Sequence, residues 1–340
     1  MRTYDWDQHP LGPPRQWPES LRTGVRMMLH SGYPMFIWWS ADLYMFHNDA
    51  YAPTLVGRHG EALGAKARQV WADVWGQLGG VVEDILAKGT TFYAEDMLVI
   101  PERKGFKEET YWTFSYSPMP DDAGKVNGIF CACSDVTAKV LSQRRLNALH
   151  QLSEGSHSGQ TVEHVCAHTV QVLEKQPSDV PFSALYLMDP SAQRFILKGQ
   201  TGRGQRLPPH VSLPAERGGN GPLGQSLRAQ ERSLPDHVLA QLELEATGDS
   251  ARPKAVVLPL WGAADQPQLL GVLVAGVSPM LEYNQADRDF HQLLARHLGT
   301  ALQGVASREQ RRRQADLLGA ILDGAPSSIA SFTPLRDATG

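Results

Sequence analysis

The sequence predicts an α+β protein with two domains, each an antiparallel sheet packed against helices, joined by helices that leave one sheet and enter the next domain. Three observations carry this. VNGIFCACSDVT, from Val126, is a β-branched, aromatic and cysteine run bounded by the turn DDAGK. It passes directly into AKVLSQRRLNALHQL, where Leu146, Leu149 and Leu152 stand among charged residues, so a buried strand runs straight into a helix. Strand runs and helical stretches then recur in two successive groups along the chain, and 340 residues at 42% hydrophobic and 20% charged suit two ordinary globular domains. Asp135 and Thr137 sit at the changeover from strand to helix. Their short side-chain oxygens can accept the unpaired N–H groups of a helix's first turn, which fixes the direction in which the helix leaves the sheet. Such wiring suits a sensor that passes a small shift along a rod, and it equally suits a well-capped linker.

In chain order, Pro18 to His30 places Leu21, Val25, Met28 and Leu29 on one side and Arg22 and Arg26 on the other, an amphipathic helix. PMFIWWS and LYMFHN follow as two aromatic strands. Phe36 and Trp38 face one way and Ile37 and Trp39 the other, so both faces of this sheet need cover, and the preceding helix is the obvious lid for one. Tyr51 to Lys88 reads as helical, with Trp71 and Trp75 four apart and Leu78, Val82, Ile85 and Leu86 continuing the apolar side. Strands return as TFYAEDMLVI and TYWTFSYSPM around the polar hairpin PERKGFKEE, and the strand ending at Asp135 closes the set.

The second group begins with the helix TVEHVCAHTVQVLEKQ, apolar at Val162, Val165, Val170 and Leu173. The strands FSALYLMD and QRFILKGQ come next, then the glycine-rich stretch PAERGGNGPLGQSLRAQERSLPD leading into a short helix. That stretch has no Lys-Ser/Thr pair and no fingerprint spacing, so it is not a nucleotide loop. KAVVLPLWG and QLLGVLVAGV add two strands, and a long helix starts near Gln285.

The segments PLGPPRQWPESLRTGVRMML, FHNDAYAPTL, ALGAKARQVWADVW, EETYWTFSYSPM and DVTAKVLSQRRL resemble the N-terminal PAS domain of large bacterial sensor histidine kinases, over roughly residues 5–150. In PAS domains a D-x-T step ends the last strand and begins the outgoing signalling helix. Asp135 and Thr137 match it, which makes them the signal-relay residues the resemblance implies and favours the rod over the linker. The second group is similar to a GAF domain over about 160–305, on Gly221, Leu223, Gly224, Asp236, Leu260, Gly271, Leu273, Asp287, Phe290, Leu293 and Leu294. The expected layout is a PAS-like domain over 1–137, a connecting helix over 138–159, a GAF-like domain over 160–305, an exit helix over 306–324 and the start of a second PAS-like domain over 325–340.

Departures from these families bear on the cofactor, whose identity stays unknown. Phytochrome-type pairs attach bilin through a cysteine ahead of the PAS domain or within the GAF domain. Here no cysteine precedes Cys131, and Cys166 lies in the entry helix, so bilin is not expected. Light-sensing PAS domains need a reactive cysteine in a helix that has none here, which argues against flavin, and GAF domains resembling methionine sulfoxide reductases need several cysteines. Haem needs one placed histidine, for which His30, His47, His59, His164, His168, His210 and His237 are candidates. Cys131 and Cys133, two apart on a strand, point to one face and read as small apolar core residues; C-x-C lacks the second ligand pair of a zinc site. Any small-molecule ligand would lie between a sheet and its helices.

The formal net charge of −4 gives no basic face for nucleic acid. No apolar window reaches the roughly 20 residues of a membrane span, and the N-terminus has no secretory apolar core, so a cytoplasmic protein is expected. Phe290, Leu294, Leu298, Ala301, Leu302 and Val305 form an apolar stripe that resumes at Ala315, Leu318 and Leu322 after SREQRRRQ. A seam this long pairs with its own copy, so a parallel homodimer is expected. The resemblance to sensor histidine kinases implies the input module of a two-component sensor histidine kinase, and since no phosphoacceptor or ATP-site motif is present, its kinase domain and response-regulator partner are expected elsewhere. A cofactor-bearing redox or gas sensor and a ligand-free interaction scaffold are the alternatives.

Overall fold

A strand that is apolar on both sides needs a cover on each, and the first half of the chain is built to supply two. The computed structural model describes residues 4–158, 161–189, 191, 194–202, 208–212, 255–262 and 268–324. The chain forms two compact units, one of Met1–Asn147 with Ser278–Asn284 and another of Ala148–Val277 with Gln285–Gly340.

In the first unit α1 (Glu19–His30) precedes β1 (Met35–Trp39) and β2 (Tyr44–His47). Four helical pieces follow, α2 (Ala52–Leu55), α3 (His59–Ala62), α4 (Ala67–Val70) and α5 (Trp75–Lys88). Then come β3 (Phe92–Val99), β4 (Thr110–Pro120), β5 (Val126–Asp135) and α6 (Thr137–Ser158). The sheet order is β2-β1-β5-β4-β3, with every pairing antiparallel.

Register explains the two covers. Phe36 lies opposite Cys131 and Trp38 opposite Ile129, while Tyr116 and Phe114 face Cys131 and Cys133 from β4. These side chains make one core with Leu78, Val82 and Ile85 of α5 and with Trp71. Ile37, Trp39, Phe46 and Met119 make the other core, against Leu21, Val25 and Met28 of α1 and against Trp6 and Trp17. Both covers were expected except for the contribution of Trp6 and Trp17, which sit beside the short 3₁₀ turns Trp6–Gln8 and Pro14–Gln16. At Gly128 the backbones of β1 and β5 approach so closely that a Cβ would stand 2.6 Å from the Trp38 carbonyl oxygen.

Three expectations need correction here. Leu29 is 42% exposed, because eight residues at about 100° each carry it some 80° round the helix from Leu21. Tyr51 to Lys88 is not one helix: Val56 (φ 47°) and Gly64 (φ 75°) adopt backbone that ends helices, and only α5 is long. Leu146 is 60% exposed, whereas Leu149 and Leu152 are buried.

The second unit contains α7 (Val162–Glu174), β6 (Ser183–Asp189), β7 (Arg194–Thr201), β8 (His210–Ser212), β9 (Ala255–Trp261), β10 (Leu269–Gly276) and α8 (Gln285–Gly324). Its sheet runs β8-β7-β6-β10-β9, again antiparallel throughout. β8 was not anticipated, and on α7 Val172 rather than Val170 is buried, beside Cys166 and Thr169. The whole expected stripe from Phe290 to Val305 is buried. Gly299 lets α8 lie against β9, since a Cβ there would strike the Trp261 backbone. Farther along, Leu317, Leu318 and Ile321 are 62%, 61% and 58% exposed. The glycine-rich stretch with Gly221, Leu223, Gly224 and Asp236, then His237 and 325–340, lie outside the described residues.

Asn48, 1% exposed, pins the entry to the first sheet. Its Nδ2 donates to the carbonyls of Met28, Ser31 and Tyr33, and its Oδ1 accepts the N–H groups of Met35 and Tyr51. Asn48→Ala strands several buried backbone groups and should cost about 2–4 kcal/mol in urea unfolding; a loss within about 0.5 kcal/mol would show that the hub is dispensable. Next to it, burial holds the His47 imidazole below its ordinary pKa, opposed by its bond to the Asn48 carbonyl. A depressed folded pKa means the unfolded chain binds the proton more readily. Stability should therefore be full above pH of about 6.5 and fall as pH drops through the folded value, a slope that His47→Gln flattens in pH-dependent unfolding.

Candidate functional site

Beneath β1, β4 and β5, on the α5 side of the first sheet, lies a cavity of about 60 Å³. Its walls come from elements far apart in sequence: Phe36 and Trp38 from β1, Tyr51 before α2, Trp71 after α4, Tyr116 from β4, and Cys131 and Cys133 from β5. The aromatic rings pack against one another, with centroids 5.0 Å apart for Phe36 and Tyr51 and 5.5 Å for Trp38 and Tyr116. Period-2 alternation on β5 is what aims both thiols at the same space.

Burial pushes the phenols of Tyr51 and Tyr116 and the thiol of Cys131 well above their ordinary pKa values, with the neighbouring thiols acting in the same direction. All three are neutral hydrogen donors at physiological pH. The indole Nε1 groups of Trp38 and Trp71 are buried and have no hydrogen-bond partner. At the rim, Arg103 gives Nε and Nη2 to Glu108 Oε2 at 3.1 and 2.9 Å and Nη1 to the Thr54 carbonyl at 3.0 Å. Trp71 is held from its outer side by the Arg58 guanidinium, 5.2 Å from its ring. Arg58 itself forms a two-pronged pair with Asp73 at 3.0 and 2.8 Å. Burial alone would raise the Asp73 carboxyl, but Arg58 and the Glu102 N–H hold it below its usual range.

The residues expected from sequence to relay a signal stand at the far end of β5. Asp135 Oδ1 accepts the Thr137 N–H at 2.9 Å, which caps the first residue of α6. Thr137 differs from the expectation: its Oγ1 accepts the N–H of Tyr111 on β4 at 2.9 Å rather than an N–H of its own helix. Val136 donates its N–H to the Tyr111 carbonyl, also at 2.9 Å, so the one residue between strand and helix is itself paired to the sheet. Two further ties escaped sequence reading. Arg144 reaches Glu109, a carboxylate 2% exposed, at 2.6 Å, and Lys139 reaches Asp96 at 3.3 Å. Lys139 and Arg144 read as ordinary solvated residues of a helix, so only the folded placement of Asp96 and Glu109 gives them a role.

No histidine lines the cavity among the described residues. His30 is exposed and bonded to the Arg26 carbonyl, the His47 and His59 rings meet at 58° with centroids 5.3 Å apart, and His168 bonds to the Gln151 carbonyl. His164 and His210 are exposed. Cys166 is buried within the second unit, where burial drives its thiol up to about 11. Among the described residues no group of three or more His, Cys, Asp or Glu is placed to hold a metal, and no helix is long and apolar enough to cross a membrane.

Residues 35–141 match the family model described as the PAS fold, a span that takes in all five strands of the first sheet and the start of α6. Among curated proteins none matches the chain. Solved structures similar to it include a GAF sensor protein from Burkholderia vietnamiensis, at 18% identity and TM-score 0.35, covering 49% of this chain and 92% of that one. The GAF domain of an Acinetobacter phosphoenolpyruvate-protein phosphotransferase gives 15% identity and TM-score 0.35, with 48% and 94% covered. An RNA-binding light-oxygen-voltage receptor gives 21% identity and TM-score 0.30, with 42% and 40% covered. The chain is thus an α+β protein with two antiparallel five-stranded sheets, the fold class its sequence predicts, and the first of them lies within the span that matches the PAS fold.

Proposed function

We propose that this chain is the sensory and dimerising input module of a cytoplasmic two-component sensor histidine kinase, relaying a signal through α6 and α8 to a kinase domain on a longer protein. The observation that carries the reading is the path of β5. Cys131 and Cys133 on this strand line the cavity, and two residues beyond Cys133 the strand ends at Asp135, with α6 beginning at Thr137. A side chain displaced by a ligand in the cavity is therefore at most a few peptide units from the cap of the outgoing helix. The bonds of Thr137 and Val136 to Tyr111, and of Arg144 to Glu109, tie that helix to the neighbouring strand as well. A ligand shifts the helix only to the extent that it binds two arrangements of these ties with different affinity.

Dimerisation is supported by the apolar residues that α8 leaves uncovered, Leu317, Leu318 and Ile321. They fall three and four apart, the spacing of a helix seam that pairs with a copy of itself.

Two outcomes follow. In the kinase-containing protein, Asp135→Ala removes the helix cap and Cys131→Leu fills the cavity; each should change the autophosphorylation rate at least about threefold while costing no more than about 1–3 kcal/mol of stability. Wild-type rates in both variants would remove cavity and cap from the mechanism. Leu318→Glu should shift the chain from dimer to monomer in sedimentation at about 10–50 μM, since a charge at a seam position opposes its own copy, and an unchanged sedimentation coefficient would place the dimer contact elsewhere or nowhere.

A further inference from the structure

We propose that the hairpin between β3 and β4, residues 100–109, is a second relay, which carries a change at the cavity to the segment Ser278–Asn284 and so to the start of α8. The inference rests on the sensory reading of the cavity and adds the route by which α8 is engaged.

In sequence the segment Ser278–Asn284 joins β10, which ends at Gly276, to α8, which begins at Gln285. In space it belongs to the first unit, as a strap held to the polar hairpin. Two bonds hold it there. The Glu109 N–H donates to the Met280 carbonyl at 2.9 Å, and Lys104 Nζ reaches Glu282 Oε2 at 2.8 Å. The first is the anchor, because Glu109 is 2% exposed and lifting the strap would strand its buried N–H. The second joins side chains 38% and 61% exposed, a kind of pair that contributes little alone, so it adjusts how closely the strap sits.

The same hairpin forms part of the cavity wall, where Pro101 and Arg103 stand with Trp112 and Tyr116. Arg103 grips Glu108 Oε2, and Lys104 lies 3.6 Å from Glu108 Oε1. A run of alternating charges, Arg103, Glu108, Lys104 and Glu282, therefore leads from wall to strap. The hairpin is braced within itself, since Glu102 pairs with Lys107 and the Glu108 N–H donates to the Pro101 carbonyl at 2.9 Å. It is also the wall that yields. β4 and β5 are each held by a neighbouring strand on both edges, whereas residues 100–109 lie outside the sheet. Glu109 makes the hairpin a common base for the two helices: its carboxylate holds Arg144 of α6, and its N–H holds the strap that precedes α8. A displaced hairpin thus pulls on both.

The test is amide hydrogen exchange on the whole chain, read at Met280–Asn284 and at the first turn of α6. Cys131→Leu, which fills the cavity, should change exchange at both places at least about threefold, as a shift in local opening does. Should that variant fail to fold, the wild-type chain under xenon, which enters dry apolar cavities, gives the same reading. Glu108→Gln keeps the shape of its side chain and removes the charge between Arg103 and Lys104. Combined with Cys131→Leu, it should cut the strap's response to about half or less while α6 keeps its own. An α6 response without a strap response overturns the relay and leaves the sensory reading standing, whereas no response at either place overturns both. An undiminished strap response in the Glu108→Gln background also overturns the relay, because the change then travels by another path.

Discussion

The pairing of β5 on both edges is the constraint on which the first unit depends. As the central strand of five it pairs with β1 over Gly128–Ala132 and with β4 over most of its length, burying Ile129, Cys131 and Cys133 on one face while Phe130, Ala132 and Ser134 on the other are part-covered. Ile129, Cys131 and Cys133 serve the α5 core, and Phe130 packs against the α1 core. The cysteines matter by being small. Flanked across the strands by Phe36, Phe114 and Tyr116, they leave between large rings the space that a leucine would fill, which is how a strand at the middle of a packed sheet borders a cavity.

Much of this was legible because it follows from period. The alternation Phe36/Ile37/Trp38/Trp39 signals two covered faces, and the structure assigns those side chains to two separate cores. The stripe from Phe290 to Val305 signals a buried helix face, and every member is buried. The change from strand to helix at Asp135 and Thr137 is placed where the residue types put it. What was not legible depends on partners distant in the chain. Asn48 reads only as the last residue of the strand LYMFHN, yet it gathers backbone groups from Met28 to Tyr51. Thr137 reads as a helix cap, yet its hydroxyl belongs to β4 through Tyr111, 26 positions away. The cavity is the extreme case, since β1, β4, β5 and the segments around α2 and α4 each give it two or three side chains, and none of those is distinctive alone.

The corrections share one cause, that apolar spacing fixes a stripe more firmly than its edges. Leu29 and Leu146 sit beside residues that are buried, and each lies far enough round its helix to stay exposed, while Val170 is only part-buried although its side chain lies over Gly199 of β7. Leu318 is different in kind. It continues a real stripe past the point where the second unit's sheet ends, so its exposure reflects a helix longer than the core it serves rather than a misread period.

A small cavity next to a helix start makes a sensor only if the two are stiffly joined, and the stiffness can be located. Val136 is the one residue between β5 and α6, and its N–H is fixed to Tyr111, the same residue whose N–H binds Thr137. The junction therefore cannot pivot about β5 without also breaking contact with β4. Farther along, Glu109 and Arg144 form a pair in which the carboxylate is almost wholly buried, so separating them would leave a desolvated charge, a costly event. Both ties end on the N-terminal part of β4 and the residue before it, whereas the cavity touches β4 at Trp112, Phe114 and Tyr116. The cavity and the helix clamps thus share two adjacent strands, β4 and β5. On the proposed reading, a change in their separation or twist at the cavity would reach α6 through the backbone ladder they share, with no need for a chain of side chains between the two.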